Sequence, residues 1–417
     1  MAANFFSSDE VDVAVIGAGA AGIAAGRRLA DAGADFIVLE ARSRIGGRAW
    51  TVTKDDLPID LGCGWLHSGD RNPWTAIAES AGLTIDRTPA PWTARRDISM
   101  SDRSHKAFDE AIETFNHRVS DAARKGKDHA AAEYLEPGNP WNGLIDAISS
   151  YANGAELDQI SVLDWQQYAD DNVNWRVIQG YGTAIAKHGE GLPIELGCVV
   201  RTIDHSGKTI RIETPRGTVS ARAVIVTVPT TLIATEAVRF MPALPEKVDA
   251  ASGLPLGLAD KVMLAVERPE DLPAETRLFG RTDRAATGAY HLRPFGRALI
   301  EGFFGGRLAR ELEAEGEGAF ARFAIDEIAA HLGEDIRARL KPVVASRWHG
   351  DPLARGSYSH ALPGKSNSRA ALAAPVDDRL FFAGEACSAE SFSTAHGAYE
   401  TGIAAAELAL KSLSRRK

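Results

Sequence analysis

Gly17, Gly19 and Gly22 stand in a G-x-G-x-x-G run directly behind an apolar, β-rich stretch at residues 11–16 and at the opening of an Ala-rich amphipathic stretch at 20–32. In a glycine turn between strand and helix, the first glycine makes the bend, the second admits backbone to a pyrophosphate, and the third packs helix on strand. The anion then lies at the helix N-terminus, against the amides around Ala20 and Ala21. A second short apolar run, 36–39, follows and ends at Glu40, where a carboxylate accepts hydrogen bonds from ribose hydroxyls. A lone glycine turn is weak evidence. Strand, turn, helix, strand and acid together predict a dinucleotide site in a Rossmann-like α/β domain.

Composition removes several classes of function. Lys and Arg number 47 against 56 Asp and Glu, a net −9 with neither sign gathered in runs, which argues against a nucleic-acid partner. With 45% hydrophobic and 25% charged residues the chain is ordinarily globular, and its 417 residues suffice for two or three domains. Its longest uncharged stretches, 13–26 and 223–235, fall short of the roughly 20 residues a membrane span needs, so no membrane is expected. The opening MAANFFSSDE lacks the basic start of a secretory signal, and a cytoplasmic location is expected. Cys63, Cys198 and Cys387 are odd in number, far apart and without ligand spacing, so neither a disulfide framework nor a metal site is expected.

Periodicity organises the rest. Helical spacing at 74–81, 104–124 and 142–152 reads as a mainly helical insertion. Strand-like runs resume at 194–196, 199–203, 209–214 and 223–228, the last stopped by Pro229. Alternating runs at 258–266 and 298–305, an acidic, glycine-containing patch at 311–318 and a helix at 318–332 read as a second insertion. A buried strand at 380–383 and a long helix at 395–412 follow. The expected division is a nucleotide domain in three parts, 1–75, 189–257 and 346–417, interrupted by a mixed α+β substrate domain at 76–188, mainly helical, and 258–345.

The kind of nucleotide is specified downstream. Glu40-Ala41-Arg42-Ser43-Arg44-Ile45-Gly46-Gly47-Arg48 follows the ribose acid at once, with glycines for close backbone approach and Arg48 to neutralise phosphate or face a flavin. This string resembles a motif of the FAD-containing amine oxidases. Phe381-Phe382-Ala383-Gly384-Glu385 resembles the same family's second FAD segment, in which Gly384 and Glu385 meet the pyrophosphate and ribityl chain. Further matches extend from Val11 to about Leu410 and resemble the polyamine-oxidase and histone-demethylase-like branch. Leu61-Gly62-Cys63-Gly64-Trp65-Leu66-His67 resembles the segment running past the flavin, with Gly64 and Trp65 beside it. Gln179-Gly180-Tyr181-Gly182 and Leu192-Pro193-Ile194 resemble the return to the FAD domain, as residues 223–229 resemble the strand that follows, and Val200 takes the place of an adenine contact. Thr394-Ala395-His396-Gly397 resembles the helix start that points at the pyrimidine side of the flavin.

The resemblance implies roles. Lys261 falls where the family places a lysine that holds water against flavin N5 for reoxidation by dioxygen. Trp348 and Tyr358 take the places of a flavin-flanking tryptophan and a cage tyrosine, whose ring would favour a cationic amine. Thr394 stands at the partner cage position, giving a one-sided cage, and Ser357 stands where mitochondrial monoamine oxidases carry the cysteine that binds FAD covalently; non-covalent FAD is therefore expected. His67 is a candidate for catalysis or substrate hydrogen bonding, or equally a satisfied core group. No arginine accompanies it, and this absence favours amines over amino acids. Asp164, Asp170, Asp171 and Glu190 are candidates for an acidic entrance, with solvated faces an equal reading, while His188, His291, His349 and His360 show no partner spacing.

The expected activity is FAD-dependent oxidation of a polyamine or other small amine, with hydride passing to the flavin, imine hydrolysis to an aldehyde, and dioxygen reduced to hydrogen peroxide. An L-amino-acid oxidase, a flavin-dependent desaturase and a non-enzymatic flavin-bearing interaction module are the rivals. Oligomeric state is open, with a homodimer among the options.

Overall fold

The computed structural model describes residues 10–415, so residues 1–9 of the N-terminal MAANFFSSDE lie outside the described residues. β1 (Val11–Ile16) buries its last four residues and is paired in parallel on both sides, by β2 (Phe36–Leu39) and by β3 (Gly217–Val226). Ile16 stands opposite Leu39 and Val226, which aligns the strand ends under the glycine turn. Parallel strands covered on both faces read as continuous apolar runs, which is why β1 and β2 are visible in the sequence. Among the described residues eight strands form this sheet, with Leu380–Phe382 also parallel to β3. α1 (Ala20–Asp31) and α2 (Ala395–Arg415) pack together on it, so closely that a Cβ at Gly402 would fall 2.2 Å from the carbonyl oxygen of Ala21.

A second, antiparallel sheet contains β4 (Ala259–Val266), β5 (Thr276–Phe279), β6 (Ala289–Leu292), β7 (Leu299–Gly305) and β8 (Leu340–Ala345), in the order β5-β6-β7-β4-β8. Its two faces have different work. Val262, Leu264, Tyr290 and Phe304 pack against the helices Gly306–Glu315 and Ala319–Leu332. On the other face Arg277, His291, Glu301 and Met263 stand in one cross-strand row, and Lys261 lies opposite Phe303 in the next. This second face looks into the cavity described below.

Several elements differ from expectation. The helix read at 104–124 begins at Asp102, because Ser101 accepts the Ser104 amide at 3.2 Å and caps it. Of 199–203 only the end is strand, in Thr202–Asp204, while the amides of Gly197 and Cys198 just before it bond the carbonyls of Arg42 and Glu40. The patch at 311–318 is largely helix, since Leu308, Ala309 and Leu312 recur at helical spacing and are buried. β5, β6 and β8 escape a periodicity reading: they are short, β8 carries Pro342, and β5 turns Arg277 toward the interior. Among the described residues no helix is long and apolar enough to cross a membrane, and Cys63, Cys198 and Cys387 are free thiols.

Candidate active site

A cavity of about 930 Å³ runs from the β1–α1 turn, past the loop at 61–67, to the Lys261 face of the second sheet. Every residue assigned from the sequence to cofactor binding or catalysis lines it except Gly22. Gly22 instead faces the turn: a Cβ there would sit 1.8 Å from the Gly17 carbonyl oxygen, so helix and loop can meet only without a side chain.

The nucleotide end fits an FAD. α1 starts at Gly19 with no side-chain cap, leaving its first amides free for an anion. A Cβ at Gly384 would meet nothing within 4 Å, and at Gly19 only the Gly47 Cα at 4.0 Å, so backbone is open to a ligand at both points. Glu40 is buried and held by the amides of Ala18 and Arg42, each at 2.7 Å, which fixes its carboxylate at the end of β2. Arg42 grips Asp351 through two contacts of 2.7 and 3.0 Å. Val200 is buried in the same wall. Glu385 is more committed to protein than the resemblance implies. Its carboxylate takes Arg48 at 2.8 Å, the Ser359 hydroxyl at 2.6 Å and the Ser393 amide at 3.1 Å. Burial opposes its ionisation, but Arg48, Ser359 and Arg369 outweigh that and hold it below the usual carboxylate range.

At the other end, Lys261 Nζ contacts Glu301 at 3.0 Å and donates to the Asp60 carbonyl at 3.2 Å, next to Gly64, where an added Cβ would lie 3.1 Å from it. Asp60 itself accepts the amides of Tyr181 and Gly182 at 2.9 and 3.2 Å, and burial raises its pKa. Those bonds explain the Gly180–Gly182 segment, whose first glycine has φ +97°. Trp348 is buried, with its indole donating to the Leu61 carbonyl at 3.1 Å. The Tyr358 hydroxyl donates to the Tyr151 carbonyl, and burial raises its pKa, so the phenol stays neutral. Thr394 caps α2, accepting the Gly397 amide at 3.0 Å and donating to the Ser391 carbonyl at 2.6 Å; Ala395 follows it in the wall. Ser357 exchanges two 2.8 Å bonds with the Ala259 backbone.

His67 Nδ1 lies 2.6 Å from Asn174 Oδ1, which can only accept, so Nδ1 donates and the neutral ring would present Nε2 as acceptor. Beside it in sequence, Trp65 meets Trp92 edge-on at 4.6 Å, stacks on His291 at 6.0 Å and carries the Arg176 guanidinium 4.7 Å from its ring. His291 does have a partner, Glu275 at 2.9 Å. Burial opposes the charge of Glu275, but His291 and Arg176 bring its pKa down to about 2. His349 meets Arg310 at 3.2 Å.

The acidic entrance does not form as expected. Asp164 is buried in a two-pronged pair with Arg369 at 2.6 and 2.7 Å, and Asp171 and Glu190 do not line the cavity, leaving Asp170. Glu301, Asp60, Asn174, Tyr151 and Arg277 are site residues that sequence reasoning missed. Only Glu301 gave a signal: like Lys261, it is a charge within an apolar strand.

Residues 20–410 match the family described as flavin containing amine oxidoreductase. The chain belongs to that family. Because its glycine turn and ribose acid are those of a dinucleotide site, its flavin is FAD, and it is an FAD-dependent amine oxidase. Polyamine oxidase 4 of Oryza sativa subsp. japonica is 30% identical over 443 residues, covering 97% of this chain and 90% of that protein. Polyamine oxidase 2 of Arabidopsis thaliana is also 30% identical, over 451 residues, with the same coverage of 97% and 90%. The human lysine-specific histone demethylase 2 is 27% identical over 439 residues, covering 94% of this chain and 52% of that protein. A solved structure of putrescine oxidase bound to putrescine shares the fold, with a TM-score of 0.78 at 21% identity over 96% of this chain and 98% of that one.

Proposed function

We propose that this chain oxidises a small aliphatic amine, releases an aldehyde after imine hydrolysis, and uses dioxygen as electron acceptor with hydrogen peroxide as product. Bound FAD supplies the two-electron acceptor. The residues do the rest. Arg48, Glu40 and the free amides of α1 hold the nucleotide, and with Ser357 tied to Ala259 no side chain at that position reaches for a covalent link. Tyr358 and Trp348 confine an apolar amine from one side, since the facing position is Thr394. His67 Nε2 accepts a substrate N–H, its orientation set by Asn174. An aliphatic amine titrates near ~10, so the site must select its minor neutral form, and a neutral acceptor does this where a carboxylate would favour the ammonium. Lys261, steadied by Glu301 and Asp60, keeps a cation facing the reaction space for the return of electrons to dioxygen.

The observation that carries this reading is the convergence of the Lys261–Glu301 pair, Tyr358 and His67 on a single cavity whose other end is a dinucleotide cradle. The named relatives support an aliphatic substrate. Peroxide release by purified, yellow protein tests it, screened over polyamines, aromatic amines, cyclic amines and L-amino acids. Release with simple amines is the expected result; release with L-amino acids alone would replace this reading with that of an amino-acid oxidase.

A further inference from the structure

Arg277 occupies the substrate end of the cavity with four of the five N–H donors of its guanidinium unused among the described residues. Its Nε donates to Asp97 Oδ2 at 3.0 Å, and the Asp97 side chain is fully buried and held from its other oxygen by the Ser99 amide and hydroxyl at 2.7 and 2.5 Å. The guanidinium lies 4.3 Å from the centre of the Phe279 ring, which fixes its plane. Neither Nη1 nor Nη2 has an acceptor among the described residues, yet neither is sealed away; the side chain keeps 19% exposure and the residue lines the cavity.

Position adds a length. Arg277 shares a sheet face with Lys261 but lies on β5, three strand spacings from β4, on the order of 14 Å between backbones. Beyond the nucleotide segments the lining acids are Asp164, Asp170 and Asp260. Arg369 neutralises Asp164, while Asp260, held through Oδ1 by Ser346 and the Trp348 amide at 2.7 and 3.1 Å with Oδ2 unpaired among the described residues, is buried beside Glu313, and burial and that neighbour push its carboxyl well above the usual range toward the neutral form. Asp170, accepting from Ser68 and the Asn172 amide at 3.3 and 3.1 Å, is the lining acid left to attract a second ammonium.

Resting on the amine-oxidase reading above, we infer that the far end of the cavity recognises a carboxylate or similarly planar oxygen acceptor, carried by the substrate several carbons from the reacting nitrogen. The fork of a guanidinium matches two such oxygens. An α-amino acid, with its carboxylate one carbon from the nitrogen, does not span the distance.

The test titrates FAD-loaded protein with hexanoate, followed by the absorbance of the bound flavin, and compares turnover of ω-aminohexanoate, hexylamine and diaminohexane. Wild type should bind hexanoate and should favour aminohexanoate at least tenfold in kcat/KM. Arg277→Met should weaken hexanoate binding tenfold or more and abolish the kcat/KM preference for ω-aminohexanoate over hexylamine. Arg277→Lys, retaining charge but losing the fork, should fall between, and FAD content with thermal melting confirms that each variant is folded. Preference for diaminohexane, or an unchanged hexanoate titration in Arg277→Met, would overturn the inference. Absence of turnover with any amine would instead remove the amine-oxidase reading, while the hexanoate titration still judges Arg277.

Discussion

Replacing Lys261 by Met removes the cation that Glu301 faces at 3.0 Å, and the two side chains are only 12% and 11% exposed. At that distance the attraction is about 5 kcal/mol for an effective dielectric near 20, and deleting one partner of so buried a pair destabilises by roughly 3–5 kcal/mol. A Lys261→Met enzyme that turns over poorly in air is therefore ambiguous, because a stranded Glu301 harms the site whatever Lys261 does for oxygen. The double variant Lys261→Met/Glu301→Gln separates the two effects. It restores a neutral site and should recover stability to within about 1 kcal/mol of wild type. Oxygen reactivity should stay lost. Urea unfolding measures the first quantity, and the rate at which air reoxidises reduced enzyme in a stopped-flow mixer measures the second. A Lys261→Met protein as stable as wild type would refute the pairing argument. A double variant that regains rapid reoxidation would refute the role of Lys261.

Gly22→Ala forces a Cβ to within 1.8 Å of the Gly17 carbonyl, so helix and loop must part; this should destabilise by about 1–3 kcal/mol and strip most FAD from purified protein, read as the flavin-to-protein absorbance ratio. His360 is buried, and desolvation outweighs the neighbouring carboxylates Asp164 and Glu385 to lower its pKa from 6.5 to about 4. The folded state thus binds fewer protons than the unfolded chain, and stability falls as pH drops through the window from 6.5 to about 4, by about 3 kcal/mol. His396, also lowered to about 4, and His188, lowered by burial, add in the same sense, so His360→Gln should reduce the slope of unfolding free energy against pH between 6.5 and about 4 without abolishing it. On the best amine, kcat/KM should rise between about pH 6 and 10 as the neutral nitrogen becomes populated, and a flat profile would contradict selection of that form.

What the sequence discloses depends on how local the physics is. The β1–α1 turn is legible because its signals lie within one unit: glycines at fixed offsets, a buried parallel strand, and Glu40 at the next strand end. Lys261 shows because a lysine interrupts an apolar run. Its partner is harder to find, since Glu301 reaches it only through the antiparallel register of β4 and β7, which pairs Met263 with Glu301 and leaves Lys261 on the diagonal. Asp164 misleads for the same reason. In sequence it is an acid among polar neighbours, and only folding brings Arg369, 205 residues away, to cover it. Arg277 is the extreme case, being one of many arginines until β5 takes the sheet edge and Asp97 occupies its Nε.

Electron exchange between FAD and an amine in this cavity is open to direct observation. Anaerobic mixing of purified protein with an amine substrate reports on it directly. The yellow flavin absorbance should bleach in a single, saturable phase and return on admitting air, with peroxide formed in step. A protein that purifies with FAD yet keeps its full absorbance against every amine class, oxygen-free and over the whole alkaline range, would contradict the account.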